Sequence, residues 1–357
     1  MSKIPVSVCI IAKNEEKYLE ECLKRIRSYG FEIVVTDTGS TDKTKEIAQK
    51  YADKVLDFAW VNDFSKARNY CAENASNNWI LALDCDEYVE NINVQHLRIY
   101  MQKAKQGLGF LKMKMLAYDT KGRLSFTVGD VPRFYNRNYY HFEGAIHEQI
   151  KRIDGEKDRD TFLLPMEAVH QGYAIQGEEM DKKQERNINL IAEALKNEPE
   201  NAYLHFQYAQ SLYIMGKYAE SVERFEKAMN YITDFSMSYT GLCVMGLAKA
   251  YCQVKRVKDA IEVLQKYENQ NQVAQYAYIQ GTSYLDDGQP LKALFYLTKA
   301  VNMKDADTMG QNLADSYQYI YEIYSDLGQE EMGEPFRKKY EALTGNKLLK
   351  IPITINA

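Results

Sequence analysis

Three carboxylates follow an apolar segment in the first quarter of the chain. Asp84, Asp86 and Glu87 come directly after residues 79–83, a run with the composition of a buried strand. Strand alternation would place Asp84 and Asp86 on one side. At a separation of ~5 Å and an effective dielectric of ~20, each pair would repel by about 3 kcal/mol. Mg²⁺ or Mn²⁺, which prefer oxygen ligands, would relieve that repulsion, whereas the alternative is a solvated acidic turn.

Polar residues also follow three earlier apolar segments. In chain order they are Ala12 to Glu15, Asp37, and Asn62 to Asn69. A carboxylate such as Asp37 can accept hydrogen bonds from a base or a ribose, and Arg68 can bind a pyrophosphate. Taken singly, Asp37 and Asp63 could equally be turn or cap residues, and Arg68 a solvated helix residue. Four polar clusters at four consecutive strand ends instead favour a ligand site.

The histidines are unevenly distributed along the chain. Three of the five, His141, His147 and His170, fall between residues 141 and 170. Imidazole can bind a metal or carry a proton near neutral pH. One histidine alone would more often be structural, but this cluster independently suggests a site.

The segments that must position these residues alternate in periodicity. Strand-like apolar runs occupy residues 6–11, 31–36, 55–58 and 79–83. Between the first two runs, Tyr18, Leu19, Cys22, Leu23 and Ile26 recur at helical spacing. This alternation predicts βαβ units and a mostly parallel sheet, whose ligands bind at the carboxyl ends of the strands. Neither G-x-G-x-x-G after the first strand nor G-x-x-x-x-G-K-[ST] occurs, so the usual fingerprints of dinucleotide oxidoreductases and P-loop NTPases are missing.

The strand pattern stops near residue 180, and helix-pair units follow. Small and aromatic residues recur in order, and the equivalents Ala209, Ala248, Gly281 and Tyr321 lie 39, 33 and 40 residues apart. These intervals bracket the 34-residue tetratricopeptide period. An all-α array resembling tetratricopeptide repeats is therefore predicted, with an irregular helical bundle as the alternative. The predicted domains are residues 1–178, a linking helix over 179–196, and the repeats over 197–357.

Composition limits the class of protein. The 357 residues carry a formal net charge of −5 and are 45% hydrophobic, which suits two globular domains and argues against a nucleic-acid-binding surface. The first residues lack a secretory cleavage pattern, and no run approaches the ~20 apolar residues of a transmembrane helix. The six cysteines show no C-x-x-C spacing and are interpreted as reduced core residues. A cytoplasmic protein is therefore predicted.

Several motifs occur in a fixed order within about residues 5–205. They are Ser7 to Glu15, Thr36 to Asp42, Asp63 to Asn69, Asp84 to Asp86, Phe142 to Glu148, Val169 to Tyr173, Arg186 to Leu190, and Glu198 to Asn201. This set resembles the family 2 glycosyltransferases of the GT-A fold. The arrangement ahead of helical repeats is similar to bacteriocin peptide glycosyltransferases and to lipopolysaccharide-core glycosyltransferases. The resemblance implies an α/β GT-A domain, an all-α repeat domain, and a nucleotide diphosphate sugar donor in which uridine is the favoured nucleoside.

The resemblance also assigns roles to matching positions. The residues implied to contact the nucleotide sugar are Ala12, Asn14, Glu15, Asp37, Asp63, Arg68 and Asp84. The residues implied to hold Mn²⁺ or Mg²⁺ under the diphosphate are Asp84, Asp86 and His170. Glu87 receives no metal role, because relatives vary at that position.

An inverting transfer needs a carboxylate that takes the acceptor proton on the face opposite the leaving diphosphate. The family pattern Gly-x-x-His-Glu assigns this role to Glu148, with Glu143 as the runner-up and His147 as a further catalytic candidate. The alternative is that Glu148 only orients His147 or Arg133. The metal would neutralise charge that develops on the leaving diphosphate.

The leading prediction is transfer of a hexose or N-acetylhexosamine to a Ser/Thr hydroxyl or Cys thiol of a peptide or protein. This acceptor would dock on the repeats, because such arrays form concave grooves suited to extended peptides. A lipopolysaccharide-core or other cell-envelope glycan is the alternative acceptor, and a non-catalytic repeat scaffold is the third hypothesis. The sequence leaves open the sugar, the acceptor atom and the oligomeric state, including a homodimer.

Overall fold

The structure, a computed structural model, describes residues 4–118, 122–158, 160–173 and 177–348. The chain divides into two compact units, residues 1–176 and 177–357. Residues 349–357, which the sequence assigns to the repeats, lie outside the described residues. None of the helices described is long and apolar enough to cross a lipid bilayer.

The N-terminal unit is built on one large sheet. Its strands and those of a separate hairpin are β1 (Val6–Ala12), β2 (Glu32–Asp37), β3 (Lys54–Asp57), β4 (Trp79–Leu83), β5 (Glu87–Ile92), β6 (Leu108–Tyr118), β7 (Leu124–Asn136), β8 (Tyr140–Glu143), β9 (Gln149–Arg152) and β10 (Thr161–Tyr173). The order in the sheet is β3-β2-β1-β4-β7-β6-β10-β5, and β8 pairs with β9 in the hairpin. Four of the seven neighbouring pairs are parallel, and β7 and β5 run antiparallel to their neighbours.

Helices cover both faces of this sheet. They are α1 (Leu19–Arg27), α2 (Thr44–Tyr51), α3 (Phe64–Glu73) and α4 (Val94–Lys103). Along β1, Val8 and Ile10 pack into a core that includes residues of α1, α2 and α4, whereas Cys9 packs on the other side with residues of α3. Because both faces are covered, β1 is apolar throughout rather than alternating. The predicted α/β architecture is thereby confirmed.

The strands after residue 86 are absent from the sequence prediction. β6 and β7 form the longest antiparallel ladder, which pairs Gly109 with Phe134 and Tyr118 with Leu124. Much of each strand is half-buried or exposed and carries mixed polar and apolar residues. A half-covered strand gives a weaker pattern than the buried parallel strands do, and this explains why only the first four strands are evident in the sequence.

The C-terminal unit is helical. Its helices are α5 (Glu178–Asn197), α6 (Ala202–Ile214), α7 (Tyr218–Tyr231), α8 (Ser238–Gln253), α9 (Val257–Lys266), α10 (Ala274–Asp286), α11 (Pro290–Val301), α12 (Gln311–Asp326) and α13 (Glu330–Thr344). From α6 onward they form four pairs. The turn inside each pair contains a residue with positive φ, which is Gly216, Lys255, Gly288 or Gly328. These four positions repeat the 39, 33 and 40 residue intervals found in the sequence.

Small residues set the distance between helices in this array. A Cβ atom at Gly246 would lie 2.5 Å from the Phe225 ring, and one at Gly281 would lie 2.7 Å from Leu297. The glycines therefore allow neighbouring helices to approach until an aromatic or branched side chain fills the groove between them. This confirms the predicted helical-repeat domain, including the fourth pair, for which the sequence pattern is weak.

Candidate active site

The loops that follow β1 and β2 are hydrogen-bonded to each other at one edge of the sheet. Asn14 N–H donates to Ser40 Oγ at 3.0 Å, and Asn14 Oδ1 accepts from Thr41 N–H at 2.7 Å. Glu15 N–H donates to Thr44 Oγ1 at 2.6 Å. The predicted pocket residues Asn14 and Glu15 therefore belong to a rigid rim, which begins where β1 ends at Ala12.

Asp37 ends β2 at the same edge, directly opposite Ala12 in the parallel register. Its side chain is only 5% exposed. Oδ2 accepts from the backbone N–H groups of Gly39 and Ser40 at 3.2 and 3.1 Å. Oδ1 is buried and has no hydrogen-bond partner among the described residues. Since a buried carboxylate oxygen is costly without a donor, this atom is suited to an N–H or O–H group of a ligand.

Asp63 is the N-cap of α3. Its Oδ1 accepts from Lys66 N–H at 3.0 Å and from Ser65 Oγ at 2.7 Å. A free N–H in the first turn of a helix needs such an acceptor. The structure thus uses this carboxylate to begin the helix that carries Arg68, whereas a contact with the nucleotide sugar stays a prediction.

Arg68 is the buried centre of an ion-pair cluster whose other members are buried or partly exposed. Its Nε donates to Glu148 Oε1 at 2.5 Å, and its Nη2 donates to Asp84 Oδ1 at 2.6 Å. The guanidinium also lies 5.3 Å from the centroid of the Phe142 ring. Burial would lower the pKa of Arg68, but Asp84 and Glu148 raise it well above its usual value. Arg68 therefore remains charged and joins two residues that are 64 positions apart in the chain.

A second arginine reaches Asp84 from β7. Arg133 Nη2 donates to Asp84 Oδ2 at 3.0 Å and also to Glu87 Oε1. Glu87 is 1% exposed, and its Oε2 accepts from Asp84 N–H at 3.1 Å. Burial would raise the pKa of Asp84, but Arg68 and Arg133 hold it well below its usual range. Both oxygens of Asp84 thus bind guanidinium groups.

Asp86 and His170 form a separate pair next to this cluster. Asp86 Oδ1 lies 3.3 Å from His170 Nε2, and Asp86 C=O accepts from Gln171 N–H at 2.9 Å. His170 is opposite Glu87 in the ladder of β10 with β5. Burial would lower the pKa of His170, but its hydrogen bond with Asp86 raises it. Gly172 makes room for the pair, because a Cβ there would lie 1.8 Å from Asp86 Oδ2 and 2.9 Å from His170 Nε2.

The two candidate bases have different surroundings. Glu148 precedes β9 and is mostly buried against Arg68, whereas Glu143 ends β8 with a side chain that is 48% exposed. His141, at 2.8 Å, and Lys151, at 3.6 Å, lower the pKa of Glu143. His147 is half-buried in the intervening loop and has φ of 51°. The structure therefore brings Glu148, and not Glu143, into the cluster with Asp84.

The fit of a divalent ion can be judged from the donor groups. Among the described residues, no three His, Cys, Asp or Glu side chains are grouped so as to hold an ion by themselves. Asp86 and His170 nevertheless offer an oxygen and a nitrogen side by side. Mg²⁺ in phosphate sites is commonly held by one or two carboxylates, with substrate phosphates and water completing the shell. The pair fits that arrangement, whereas Asp84 would have to exchange an arginine contact to join it.

Two residues of the cluster are missing from the sequence prediction of the site. The sequence assigns Glu87 no metal role and offers Arg133 only as a residue that Glu148 could orient. Arg133 belongs to β7, a strand that the sequence pattern does not reveal, so its proximity to Asp84 could not be foreseen. An Arg within a mixed polar and apolar segment gives no local signal of an ion pair 49 residues away.

Comparisons with known proteins bear on this site. Residues 7–111 match the family described as glycosyl transferase family 2. The SPbeta prophage-derived glycosyltransferase SunS of Bacillus subtilis (strain 168) is 29% identical over 243 residues, which cover 66% of this chain and 56% of SunS. A TPR repeat-containing protein of Synechococcus elongatus is 29% identical over 211 residues, or 56% of this chain and 50% of that protein. The lipopolysaccharide core biosynthesis glycosyltransferase LpsC of Rhizobium meliloti (strain 1021) is 32% identical over 92 residues, or 25% of this chain and 34% of LpsC.

These matches agree with the order of motifs in the chain. The chain spans about half the length of SunS and of the Synechococcus protein. The family match contains Asp37, Arg68, Asp84 and Asp86, whereas Glu148 and His170 lie beyond it. The resemblance drawn from the motifs is confirmed, because residues 7–111 match the family 2 glycosyltransferases and the chain is similar both to a glycosyltransferase and to a TPR repeat-containing protein.

Proposed function

We propose that this protein is an inverting, metal-dependent glycosyltransferase that moves a hexose or N-acetylhexosamine from a nucleotide diphosphate sugar to a peptide or protein side chain. The observation that carries the proposal is the convergence of Glu148, Arg68 and Asp84 in one series of ion pairs centred on the buried Arg68. These ion pairs join the candidate base, Glu148, to Asp84, the first aspartate of the acidic motif that also supplies Asp86. The family 2 match supports the reaction class.

The donor would bind along the edge where β1, β2 and β4 end. Oδ1 of Asp37, which is buried without a partner among the described residues, would accept from the nucleobase or ribose. Uridine remains the favoured nucleoside. Arg68 would provide positive charge for the diphosphate, because a guanidinium forms strong, paired hydrogen bonds to phosphate oxygens.

Asp86 and His170 would hold Mn²⁺ or Mg²⁺ beneath the diphosphate, and Asp84 remains a predicted third ligand. When bound, the ion supplies charge neutralisation for the leaving diphosphate. Gly172 would keep the two side chains in place by leaving the space that they occupy. Their oxygen and nitrogen donors suit either cation.

Glu148 would act as the base. Arg68 binds its Oε1, and no hydrogen bond reaches Oε2 among the described residues. Oε2 would take the proton of the acceptor hydroxyl or thiol while that oxygen or sulfur forms a bond to the anomeric carbon. The bond from this carbon to the diphosphate oxygen breaks with inversion, and the nucleoside diphosphate leaves with the bonding electrons. Glu143 is less suited, because its side chain is 48% exposed and lies outside the cluster that contains Arg68 and Asp84.

The helical repeats support a polypeptide acceptor. An array of paired helices forms an extended concave surface, and such surfaces commonly bind extended peptides. A second candidate acceptor is a lipopolysaccharide-core sugar, which is favoured by the similarity to LpsC. Glycan analysis and intact-protein masses from a deletion strain would separate the two, because a truncated core indicates the glycan acceptor and a lost sugar mass on a peptide indicates the polypeptide.

A donor panel tests the reaction itself. Purified protein would be incubated with UDP-, GDP- and TDP-linked hexoses and N-acetylhexosamines, with Mn²⁺ or with EDTA, and the released nucleoside diphosphate measured. We expect Mn²⁺-dependent release with at least one donor. Absence of both release and nucleotide binding across the panel would contradict the proposal.

Glu148→Gln tests the base assignment, with Glu143→Gln as the matched control. The first variant should lose transfer by about 10²-fold or more, as expected for removal of a general base, and should keep donor affinity. The control should transfer normally, since Glu143 is exposed. Normal transfer by Glu148→Gln together with loss in Glu143→Gln would reverse the assignment.

A further inference from the structure

Asp84 is held from three directions by groups that belong to different elements. Its Oδ1 accepts from Arg68 of α3, and its Oδ2 accepts from Arg133 of β7. Its backbone N–H donates to Oε2 of Glu87, the first residue of β5. Arg133 closes this arrangement, because the same Nη2 atom also donates to Glu87 Oε1.

We propose that Arg133 and Glu87 are positioning residues, which keep the Asp84 carboxylate turned toward Arg68 and thereby keep Arg68 on Glu148. This inference rests on the proposed function for its catalytic meaning. It divides the acidic segment into two parts. Asp86 faces His170, whereas Asp84 and Glu87 bind the arginines, so a bound ion would reach Asp84 only by displacing an arginine contact.

The charges explain why both arginines are needed. The cluster contains three carboxylates, Asp84, Glu87 and Glu148, and two guanidinium groups, Arg68 and Arg133. Without Arg133, Asp84 and the fully buried Glu87 would share only Arg68. A buried charge that loses its partner is strongly destabilising. With Arg68 as its only remaining cationic partner, the Asp84 carboxylate would turn so that both of its oxygens face that guanidinium, and this would draw Arg68 away from Glu148.

The geometry of Arg133 shows that a replacement must retain one positively charged nitrogen between Asp84 and Glu87. Arg133 uses one nitrogen for both ion pairs, so a single ammonium at that place could satisfy both carboxylates. Arg133→Lys is thus the conservative variant. Arg133→Met removes the charge and keeps an unbranched chain. Glu87→Gln combined with Arg133→Met removes both charges, a change that often leaves stability intact when the shapes are retained.

Arg137 provides a matched control next to β7. Its guanidinium donates to the backbone carbonyls of Ala72, Glu73 and Ala75 and touches no residue of the cluster. Arg137→Met therefore removes a structural arginine contact without altering Asp84. It separates a general loss of stability from a loss of positioning.

The experiment compares Tm, donor KM and kcat for these variants. Arg133→Met should lower Tm and reduce kcat by about 10- to 100-fold, the range seen when groups that support an active-site ligand are removed. Arg133→Lys should restore most of the Tm and most of the kcat that Arg133→Met loses. The Glu87→Gln/Arg133→Met variant should have a Tm near that of the wild type but the same low kcat as Arg133→Met. Arg137→Met should have a lower Tm than the wild type and an unchanged kcat. Wild-type kcat and KM in the double variant would overturn the proposal, as would an equal loss of kcat in Arg137→Met.

A crystal structure of the Glu87→Gln/Arg133→Met variant gives a readout that needs no turnover. We expect the Asp84 carboxylate to rotate and the 2.5 Å contact between Arg68 Nε and Glu148 Oε1 to be lost. An unchanged contact would overturn the positioning role even if the protein transferred no sugar. Failure of the wild type across the donor panel would instead overturn the proposed function, so the two failures are distinguishable.

Discussion

Gly172→Ala should disrupt the candidate metal site through a single added carbon. The new Cβ would lie 1.8 Å from Asp86 Oδ2, whereas ordinary contacts begin at 3.4 Å, so the carboxylate must move by about 1.6 Å. His170 Nε2, at 2.9 Å from the same point, must also yield. A Mg–oxygen bond is only about 2.1 Å long, and a ligand set tolerates displacements of about 0.5 Å. The two side chains could then no longer bind one ion together.

We expect Mn²⁺ affinity in the presence of UDP to fall by about 10- to 100-fold, or about 1.4–2.7 kcal/mol. The loss of the free Mn²⁺ signal in electron paramagnetic resonance measures this affinity without any turnover. Gly129→Ala on β7 is the matched control, because its Cβ would meet only the flexible end of Met115, at 3.2 Å. Wild-type Mn²⁺ affinity in Gly172→Ala would refute the assignment of Asp86 and His170 to the metal.

Two further predictions concern residues that support the domain. Asp63→Ala removes the N-cap of α3 and should lower the free energy of unfolding by about 1 kcal/mol. Calorimetry should also show weaker donor binding, as the predicted contact with the nucleotide sugar requires, and unchanged affinity would leave Asp63 with the capping role alone. Burial would raise the pKa of Glu32, but hydrogen bonds from Ser7 and Ser76 lower it to about 2. Its stabilisation is therefore complete above the unfolded pKa of about 4.3 and is lost as the pH falls through 2. Glu32→Gln should lower the free energy of unfolding by about 1–2 kcal/mol at pH 7, and its difference from the wild type should vanish between about pH 4 and 2. Urea titrations followed by the fluorescence of the two tryptophans, both in the N-terminal unit, measure this difference. A difference that stays constant over this pH range would contradict the prediction.

The parts of the fold that the sequence reveals are those whose burial is uniform. β1 is a continuous apolar run because helices cover both of its sides, and the polar residues after it mark the edge of the sheet that carries the candidate site. The repeats are evident because paired helices that approach closely need small residues at regular intervals, as at Ala209 and Gly281. Both signals follow from how completely one segment is buried, which its own residue types record.

The parts that the sequence does not reveal depend on contacts between distant segments. Asp84 is recognisable as a site residue, but its two arginine partners come from positions 68 and 133 and meet only when β7 lies beside β4. Asp63 and Arg68 stand five residues apart in one motif, yet one caps a helix and the other pairs with Glu148. The partner of a charged residue cannot be predicted from the local sequence, because the order of the strands in the sheet, and not the spacing along the chain, decides which charges meet.

A crystal structure of the protein with UDP and Mn²⁺ would show directly whether Asp86 and His170 hold the ion at the donor site. We expect Mn²⁺ bound between the diphosphate and the Asp86–His170 pair, with the uridine on Asp37 and Glu148 Oε2 open toward the position of the sugar. UDP bound away from this edge of the sheet, or Mn²⁺ held by other residues, would contradict this expectation.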